Sequence, residues 1–264
     1  MLYYKQFLHK ESSEWIVFIH GAGGSSAVWH KQLRDFQKDF NLLLIDLRGH
    51  GKSTDLPMAI WNQEYTFEAV TKDIIEVLDH LNLPPSHFMG VSLGTILARQ
   101  LAEMRPEKVK SLILLETSAS PEPVENLPKY KLLTGIVKWF GIIPTVAGTV
   151  MKIMFAQSWL ENPKNSDSYK KWIKELQSNK KTITKSVEAV IYRKGIEEEI
   201  RQIKSPTMIV VGDEDIATKP EKAKFIQMSI PNSVLHMVPG AGHSSCIEKP
   251  QEINRLIGDW MKQF

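Results

Sequence analysis

Short, continuous apolar runs alternate with amphipathic stretches along most of the chain. Runs without polar alternation are typical of strands that are covered on both faces of a parallel sheet. Between them, apolar residues recur at helical spacing. Repeated alternation of this kind predicts an α/β class fold with a doubly wound, mostly parallel sheet. The predicted strands are 15–20, 41–47, 87–91, 111–116, 207–211 and 234–238, and the predicted helices include 28–36, 67–81, 95–104, 221–228 and 250–260.

The alternation stops between about residues 118 and 205. No clear strand pattern occurs there, and prolines divide several helical patterns. We therefore expect a helical cap (lid) at 119–205, inserted into a core made of 1–118 and 206–264. The most apolar part, 132–155, is interrupted by Lys138, Pro144 and Lys152. Its longest uncharged run is shorter than the roughly 18 residues of a membrane span, so cap helices are predicted and no transmembrane segment.

Composition narrows the class of protein. Of 264 residues, 42% are hydrophobic and 24% charged, which is ordinary for a globular protein. The net charge of +3 is too small to indicate a nucleic-acid partner. Cys246 is the single cysteine, which excludes an intrachain disulfide. The first residues lack a charged and then apolar leader, so a cytoplasmic location is expected.

The most informative motif is Gly90-Val91-Ser92-Leu93-Gly94. A predicted strand precedes it and a helix-forming run follows. A serine on a sharp turn between strand and helix has its hydroxyl lifted clear of the sheet, and the glycines let neighbouring backbone pass close by. The N-terminus of the helix adds free N–H groups and a positive dipole end. This arrangement predicts a nucleophile beside a place where negative charge can develop.

A second glycine-rich stretch, His20-Gly21-Ala22-Gly23-Gly24-Ser25, follows the first long predicted strand. Small residues at a strand end let backbone N–H groups point into a cavity, where one can complete an oxyanion hole. A dinucleotide-binding fingerprint is excluded, because it needs glycine at position 26 and Ser26 stands there.

Two further motifs stand at later strand ends. Gly212-Asp213-Glu214-Asp215 offers carboxylates that could orient a histidine, although an acidic loop before a helix would look the same. Pro239-Gly240-Ala241-Gly242-His243 places one of eight histidines in a glycine-rich loop. His243 is the candidate base because it comes last in the order serine, aspartate, histidine.

These four motifs resemble the α/β-hydrolase superfamily in order, context and spacing, over nearly the whole chain. The stretches 46–53 and 248–250 fit the same pattern. The resemblance implies that Ser92 is the nucleophile, His243 the general base and Asp215 the acid, with Asp213 second and Glu116 third as candidate acids. Ala22 and Leu93 match the two backbone oxyanion donors. No metal or organic cofactor is implied. Cys246 is not expected to be the nucleophile, because no strand–turn–helix motif like that of Ser92 surrounds it.

The resemblance further implies a serine hydrolase that cleaves a carboxylic ester or related acyl compound through an acyl-enzyme. Enol-lactonases, C–C bond hydrolases and perhydrolases use the same residues and remain alternatives, as does a triad-bearing small-molecule receptor. An apolar cap favours a small-molecule substrate with an apolar or aromatic group. The candidate pocket residues are Trp29, Trp139, Phe140 and Phe155.

Overall fold

The computed structural model describes residues 1–55 and 65–264. Within these ranges seven strands form one sheet in the order β1-β3-β2-β4-β5-β6-β7. All neighbouring pairs are parallel except β1 with β3. The strands are β1 (Tyr4–Phe7), β2 (Trp15–Ile19), β3 (Asn41–Ile45), β4 (Ser86–Val91), β5 (Val109–Leu115), β6 (Thr207–Gly212) and β7 (Val234–Val238).

The described α-helices connect these strands or lie between β5 and β6. In chain order they are α1 (His30–Phe36), α2 (Phe67–His80), α3 (Leu93–Met104), α4 (Leu127–Phe140), α5 (Pro144–Met154), α6 (Gln157–Glu161), α7 (Ser166–Ser178), α8 (Ile183–Ile191), α9 (Pro220–Ser229), α10 (Ser245–Glu248) and α11 (Pro250–Met261). Short 3-10 turns lie at Ser26–Trp29, Gly51–Asp55, Pro106–Lys108, Val124–Asn126, Pro163–Asn165 and Glu199–Gln202.

The sheet is covered on both faces by apolar clusters. Successive residues of β2 alternate between them: Val17 and Ile19 belong to one cluster, Ile16 and Phe18 to the other. This period of two is what a pleated strand imposes, and it explains why the strand sequences show no polar positions. The predicted doubly wound α/β fold is confirmed.

Strand β1 is absent from the sequence prediction. It is an antiparallel edge strand of four residues, of which Lys5 and Gln6 are exposed. A short edge strand with polar residues gives no apolar run, so pattern analysis does not detect it.

Between β5 and β6, the described chain contains helices and no strand. Helix α4 ends at Phe140, Gly141 adopts a positive φ of 76°, and α5 starts at Pro144. The apolar stretch therefore forms two short helices, and Pro144, which interrupts it in the sequence, stands at the start of the second. That this segment works as a cap domain over 119–205 stays a prediction. No described helix is long and apolar enough to cross a membrane.

Candidate active site

Ser92 occupies the sharp turn between β4 and α3. Its backbone has φ 54° and ψ −116°, outside the conformations that residues with a side chain usually adopt. A Cβ on Gly90 would clash with the backbone of Gly94, and a Cβ on Gly94 would clash with the carbonyl of Ile19. Both positions therefore require glycine. The turn places Ser92 at the carboxyl edge of the sheet, directly before the N-terminus of α3.

His243 and Asp215 form a buried pair at neighbouring strand ends. Nδ1 of His243 lies 2.8 Å from Oδ2 of Asp215, and the two side chains are 4% and 0% exposed. Burial by itself raises the pKa of Asp215, but attraction to His243 and the hydrogen bonds that the carboxylate accepts outweigh it and lower that pKa. An ionised Asp215 holds the imidazole proton on Nδ1, which leaves Nε2 free to accept a proton.

The Asp215 carboxylate is also held by the turn that follows it. Oδ1 accepts from the backbone N–H groups of Ala217 and Thr218 at 2.8 and 2.9 Å. The Thr218 hydroxyl donates to Oδ2 at 2.7 Å and lies 3.2 Å from Nδ1 of His243. The turn therefore fixes both carboxylate oxygens, Oδ1 through two backbone N–H groups and Oδ2 through the Thr218 hydroxyl beside the imidazole. Sequence analysis missed Thr218, because its role depends on how the chain turns after Asp215.

The two other candidate acids have different surroundings. Asp213 is exposed and accepts from the backbone N–H of Gly240 at 2.7 Å. Glu116 is fully buried at the end of β5, with φ 50°, and its carboxyl oxygens have no hydrogen-bond partner among the described residues. Burial raises the pKa of Glu116 well above its usual value, which favours the neutral form of this carboxyl. Of the three acids, Asp215 is the one in contact with His243.

Two buried histidines hold the glycine-rich loop after β2. Nδ1 of His20 donates to the carbonyl of Gly21 at 2.7 Å, and its Nε2 accepts from the N–H of Leu47 at 3.0 Å. Nε2 of His50 accepts from the N–H of Gly23 at 3.1 Å. Burial lowers the pKa of both rings, that of His50 to about 3, so both stay neutral and keep these roles.

The backbone N–H groups of Ala22 and Leu93 are the candidate oxyanion donors. Both residues line the same cavity as Ser92 and His243. Neither N–H donates to an acceptor within residues 1–55 and 65–264. Unpaired donors beside a serine hydroxyl can stabilise an oxygen atom that gains negative charge. Their role in binding an oxyanion stays a prediction.

The cavity has a volume of about 270 Å³ and extends from the carboxyl edge of the sheet to helices α4, α5, α7 and α8. Its wall is mostly aliphatic, and its polar groups lie both at the strand ends and on the helices. The aliphatic and sulfur-containing lining residues include Val28, Val91, Ile96, Leu133, Val137, Ile142, Val146, Val150, Met151, Ile153, Met154, Leu176, Ile183, Val187, Val190 and Ile191, and the polar ones include Glu116, Ser118, Glu122, Tyr130, Arg193 and Thr218.

Of the four aromatic residues predicted to line the pocket, Phe155 does so. Trp29 does not, because it is fully buried in the core, where its ring packs 5.3 Å from that of Phe18. Trp139 and Phe140 are 78% and 74% exposed on the outside of the molecule. The prediction is therefore wrong for Trp29, which packs in the core, and for Trp139 and Phe140, because α4 turns a different face toward the cavity.

Glu248 connects the His243 loop to the helical segment. Its carboxylate accepts from the N–H groups of Gly242 and Ser244 at 3.0 and 3.2 Å, and from that of Ala156 at 2.9 Å. Burial raises the pKa of Glu248 to about 7, although the three N–H donors oppose that shift.

Cys246 is also buried, and burial raises the pKa of its thiol, which disfavours the nucleophilic thiolate. Within the described ranges no group of acidic, histidine and cysteine side chains could hold a metal ion.

Known proteins resemble this chain over almost its full length. 3-Oxoadipate enol-lactonase 2 of Acinetobacter baylyi is 24% identical over 94% of this chain and 89% of that protein. Pimeloyl-[acyl-carrier protein] methyl ester esterase of Wigglesworthia glossinidia brevipalpis is 26% identical over 94% of each. The solved structure of a thermophilic esterase from Thermogutta terrifontis, with malate bound, superposes with a TM-score of 0.88 at 22% identity, covering 99% of this chain and 93% of that one.

The family comparison covers the part of the chain that contains all three candidate catalytic residues. The profile of the alpha/beta hydrolase fold family matches residues 14–250, a range that contains Ser92, Asp215 and His243. The chain belongs to the alpha/beta hydrolase fold family.

Proposed function

We propose that this hydrolase cleaves a carboxylic ester with an apolar acyl or aromatic group, with Ser92 as nucleophile, His243 as base and Asp215 as the acid of a triad. The observation that carries the proposal is the buried His243–Asp215 pair, which opens on the same cavity as the strained turn of Ser92. Perturbed and paired titratable groups in the principal cavity are typical of catalytic sites.

In the proposed reaction Ser92 Oγ attacks the carbonyl carbon of the ester while Nε2 of His243 takes its proton. The carbonyl oxygen gains negative charge and is stabilised by the N–H groups of Ala22 and Leu93. Asp215 stabilises the imidazolium and does not take the proton itself. His243 then protonates the leaving alcohol, and an acyl group remains on Ser92. Water, deprotonated by His243, attacks this acyl-enzyme and releases the acid.

The cavity supports an apolar acyl group as the selected part of the substrate. Its inner end is lined by aliphatic side chains of α4 and α5, including Val137, Val146 and Val150. A hydrocarbon chain in such a pocket gains free energy in proportion to the apolar area it buries, roughly 25 cal/mol per Å². We therefore expect kcat/KM to rise from acetate to a medium-chain ester.

A panel of p-nitrophenyl esters from acetate to octanoate tests the proposal. The Ser92→Ala variant should lose activity by a factor on the order of 10⁶ in kcat while keeping its circular dichroism. A fluorophosphonate should label the wild type at Ser92 and leave the variant unlabelled. A Ser92→Ala enzyme that retained most of the ester hydrolysis would contradict the assignment.

An enol-lactone is the second candidate substrate, favoured by the similarity to 3-oxoadipate enol-lactonase 2. The same residues would open the lactone, with the enol oxygen as leaving group. A lactone assayed beside the ester panel distinguishes the two by the ratio of kcat/KM values. A receptor role predicts one stoichiometric acylation without release, whereas an enzyme shows a burst followed by steady turnover.

A further inference from the structure

Large apolar side chains are exposed on the outer surface of α4 and on the turn that follows it. Leu132, Trp139, Phe140 and Ile143 are 65%, 78%, 74% and 36% exposed. We call these four residues the outer patch. Isolated exposed apolar residues are common on proteins, but a cluster with two adjacent aromatic rings at a helix end is typical of an interaction surface.

The outer patch results from a helix that is apolar on two sides. Tyr130, Leu133, Thr134 and Val137 line the cavity, and their positions i, i+3, i+4 and i+7 make up the inner side of α4. Leu132, Ile136, Trp139 and Phe140 stand at i, i+4, i+7 and i+8 and form a second stripe that turns away from the cavity. Packing of the helix on the protein uses the inner side, so it does not explain the second stripe.

Most of the charges around the outer patch are positive. Between Asn126 and Leu160 the sequence contains four lysines, Lys129, Lys131, Lys138 and Lys152, and no aspartate or glutamate. Lys181 adds a further cation, because its ammonium donates to the backbone carbonyl of Trp139. Glu188 pairs with Lys138 and is the acid that contacts this group. Exposed aromatic rings are thus flanked by ammonium groups on long, flexible stems.

We propose that the outer patch docks on an anionic lipid surface. Trp and Phe side chains insert at the boundary between headgroups and acyl chains, while flanking lysines reach the anionic headgroups. Each lysine near such a surface adds attraction that salt screens. Docking would place α4 between the lipid and the cavity, with its outer stripe in the lipid and its inner stripe on the substrate pocket.

A second copy of the chain fits the outer patch less well. A twofold contact would place the lysine-rich surface of one protomer against the same surface of its partner, and like charges would oppose association. Carboxylates of an acidic protein could pair with the lysines, but a protein surface lets Trp139 and Phe140 insert less deeply than the lipid interface does. The combination of two protruding rings with more lysines than acids around them therefore favours lipid.

Co-sedimentation with vesicles tests the proposal without relying on hydrolysis. Full-length Ser92→Ala protein is mixed with vesicles of phosphatidylcholine alone or with phosphatidylglycerol added, at low and high salt. We expect binding to the anionic vesicles that weakens with salt. A Trp139→Ala/Phe140→Ala variant should lose on the order of a hundredfold in partition coefficient. Lys129→Gln/Lys131→Gln should lose on the order of tenfold, with a smaller salt effect.

Met228→Ala is the matched control, because Met228 is also 78% exposed but lies on α9. It should bind vesicles like the parent, and hydrolysis of p-nitrophenyl acetate by the patch variants with Ser92 restored should match that of the wild type. Equal vesicle binding by the parent and the Trp139→Ala/Phe140→Ala variant would overturn the proposal. So would an absence of vesicle binding by the parent. A dimer in sedimentation velocity that the aromatic variant converts to monomer would then identify a second copy of the chain as the partner of the outer patch. Failure of ester hydrolysis alone would contradict the proposed function and leave vesicle binding unaffected.

Discussion

Asp213 and Asp215 stand two positions apart, yet the fold gives them different partners. Asp215 contacts the imidazole of His243 and is fixed by Thr218, whereas Asp213 binds the backbone of the loop before His243. Both follow Gly212, so the residues alone left either of them open as the acid. The resemblance to a family favoured Asp215. The deciding contact depends on the turn at 213–218, which no local pattern specifies.

We predict that Asp215→Asn lowers kcat far more than Asp213→Asn does. An amide at position 215 no longer holds the imidazole in the tautomer that leaves Nε2 basic, a loss of roughly 10⁴ in a related triad. Asparagine at 213 keeps an oxygen that can accept from Gly240. Steady-state kinetics on p-nitrophenyl butyrate compares the two. The opposite ranking would move the acid to Asp213.

At the scale of elements, helices α4 and α5 each contribute one face to the wall of the pocket. Val137, Val146 and Val150 lie on those inner faces, and Trp139 and Phe140 lie outside. The sequence correctly predicted short helices in place of one long helix, but not their orientation. A helix with apolar residues on two sides has no single amphipathic face, so its sequence does not tell which side contacts the protein.

Enlarging an inner-face residue should shorten the preferred acyl chain. In Val150→Phe we expect kcat/KM for the octanoate ester to fall on the order of tenfold or more relative to the acetate ester, because the ring occupies space that the chain needs. Val124→Phe is the matched control, since Val124 is 76% exposed and does not line the cavity. An equal decrease for all esters in Val150→Phe would indicate a general structural effect.

Glu248 links two elements, the His243 loop and the segment after α5. In Glu248→Gln an NH₂ group replaces one of the oxygens that accept backbone N–H groups, so at least one donor loses its partner; Ala156, one of the three, is fully buried. We expect the free energy of unfolding to fall by about 1–3 kcal/mol. Activity should fall as well, because the same carboxylate holds the loop of His243.

Chemical denaturation of Glu248→Gln is compared with that of Glu125→Gln, an exposed glutamate near α4. The control should unfold within about 0.5 kcal/mol of the wild type, as surface substitutions usually do. Equal stability of the two variants would show that the carboxylate of Glu248 does not hold the segment. The ratio of kcat/KM for long and short esters, measured for Glu248→Gln, then reports whether the pocket changes when the segment after α5 is released.

For the whole molecule, the predicted strands identified the parallel sheet because strands buried on both faces are apolar throughout. Parallel strands β2, β4, β6 and β7 end at one edge, and the four motifs follow these ends. The resemblance of these motifs to the α/β-hydrolase superfamily, and not their order alone, predicted that Ser92, Asp215 and His243 act together. Strand β1 was missed because it is short and half of its residues are polar. The role of Glu248 was missed because backbone N–H donors leave no sequence signal.

Burial of acids beside the cavity should also make the stability of the whole molecule depend on pH. Glu116 is fully buried without a hydrogen-bond partner in the described chain, and burial raises its pKa well above the ordinary value. The folded state thus keeps a proton that the unfolded state releases above about pH 4.3. As pH rises from there, stability falls by up to about 1.4 kcal/mol per pH unit until the folded carboxyl also ionises.

Glu116→Gln isolates this contribution, because glutamine resembles the neutral acid in shape and does not titrate. We expect the free energy of unfolding of the variant, minus that of the wild type, to increase steadily from pH 5 to pH 7. Glu248 has a pKa of about 7 and repels an ionised Glu116, so the difference also contains the interaction between the two carboxyls. Urea denaturation at each pH measures both values. A difference that stays constant between pH 5 and pH 7 would mean that Glu116 ionises normally in the folded protein, and a charged partner would then have to lie against its carboxyl.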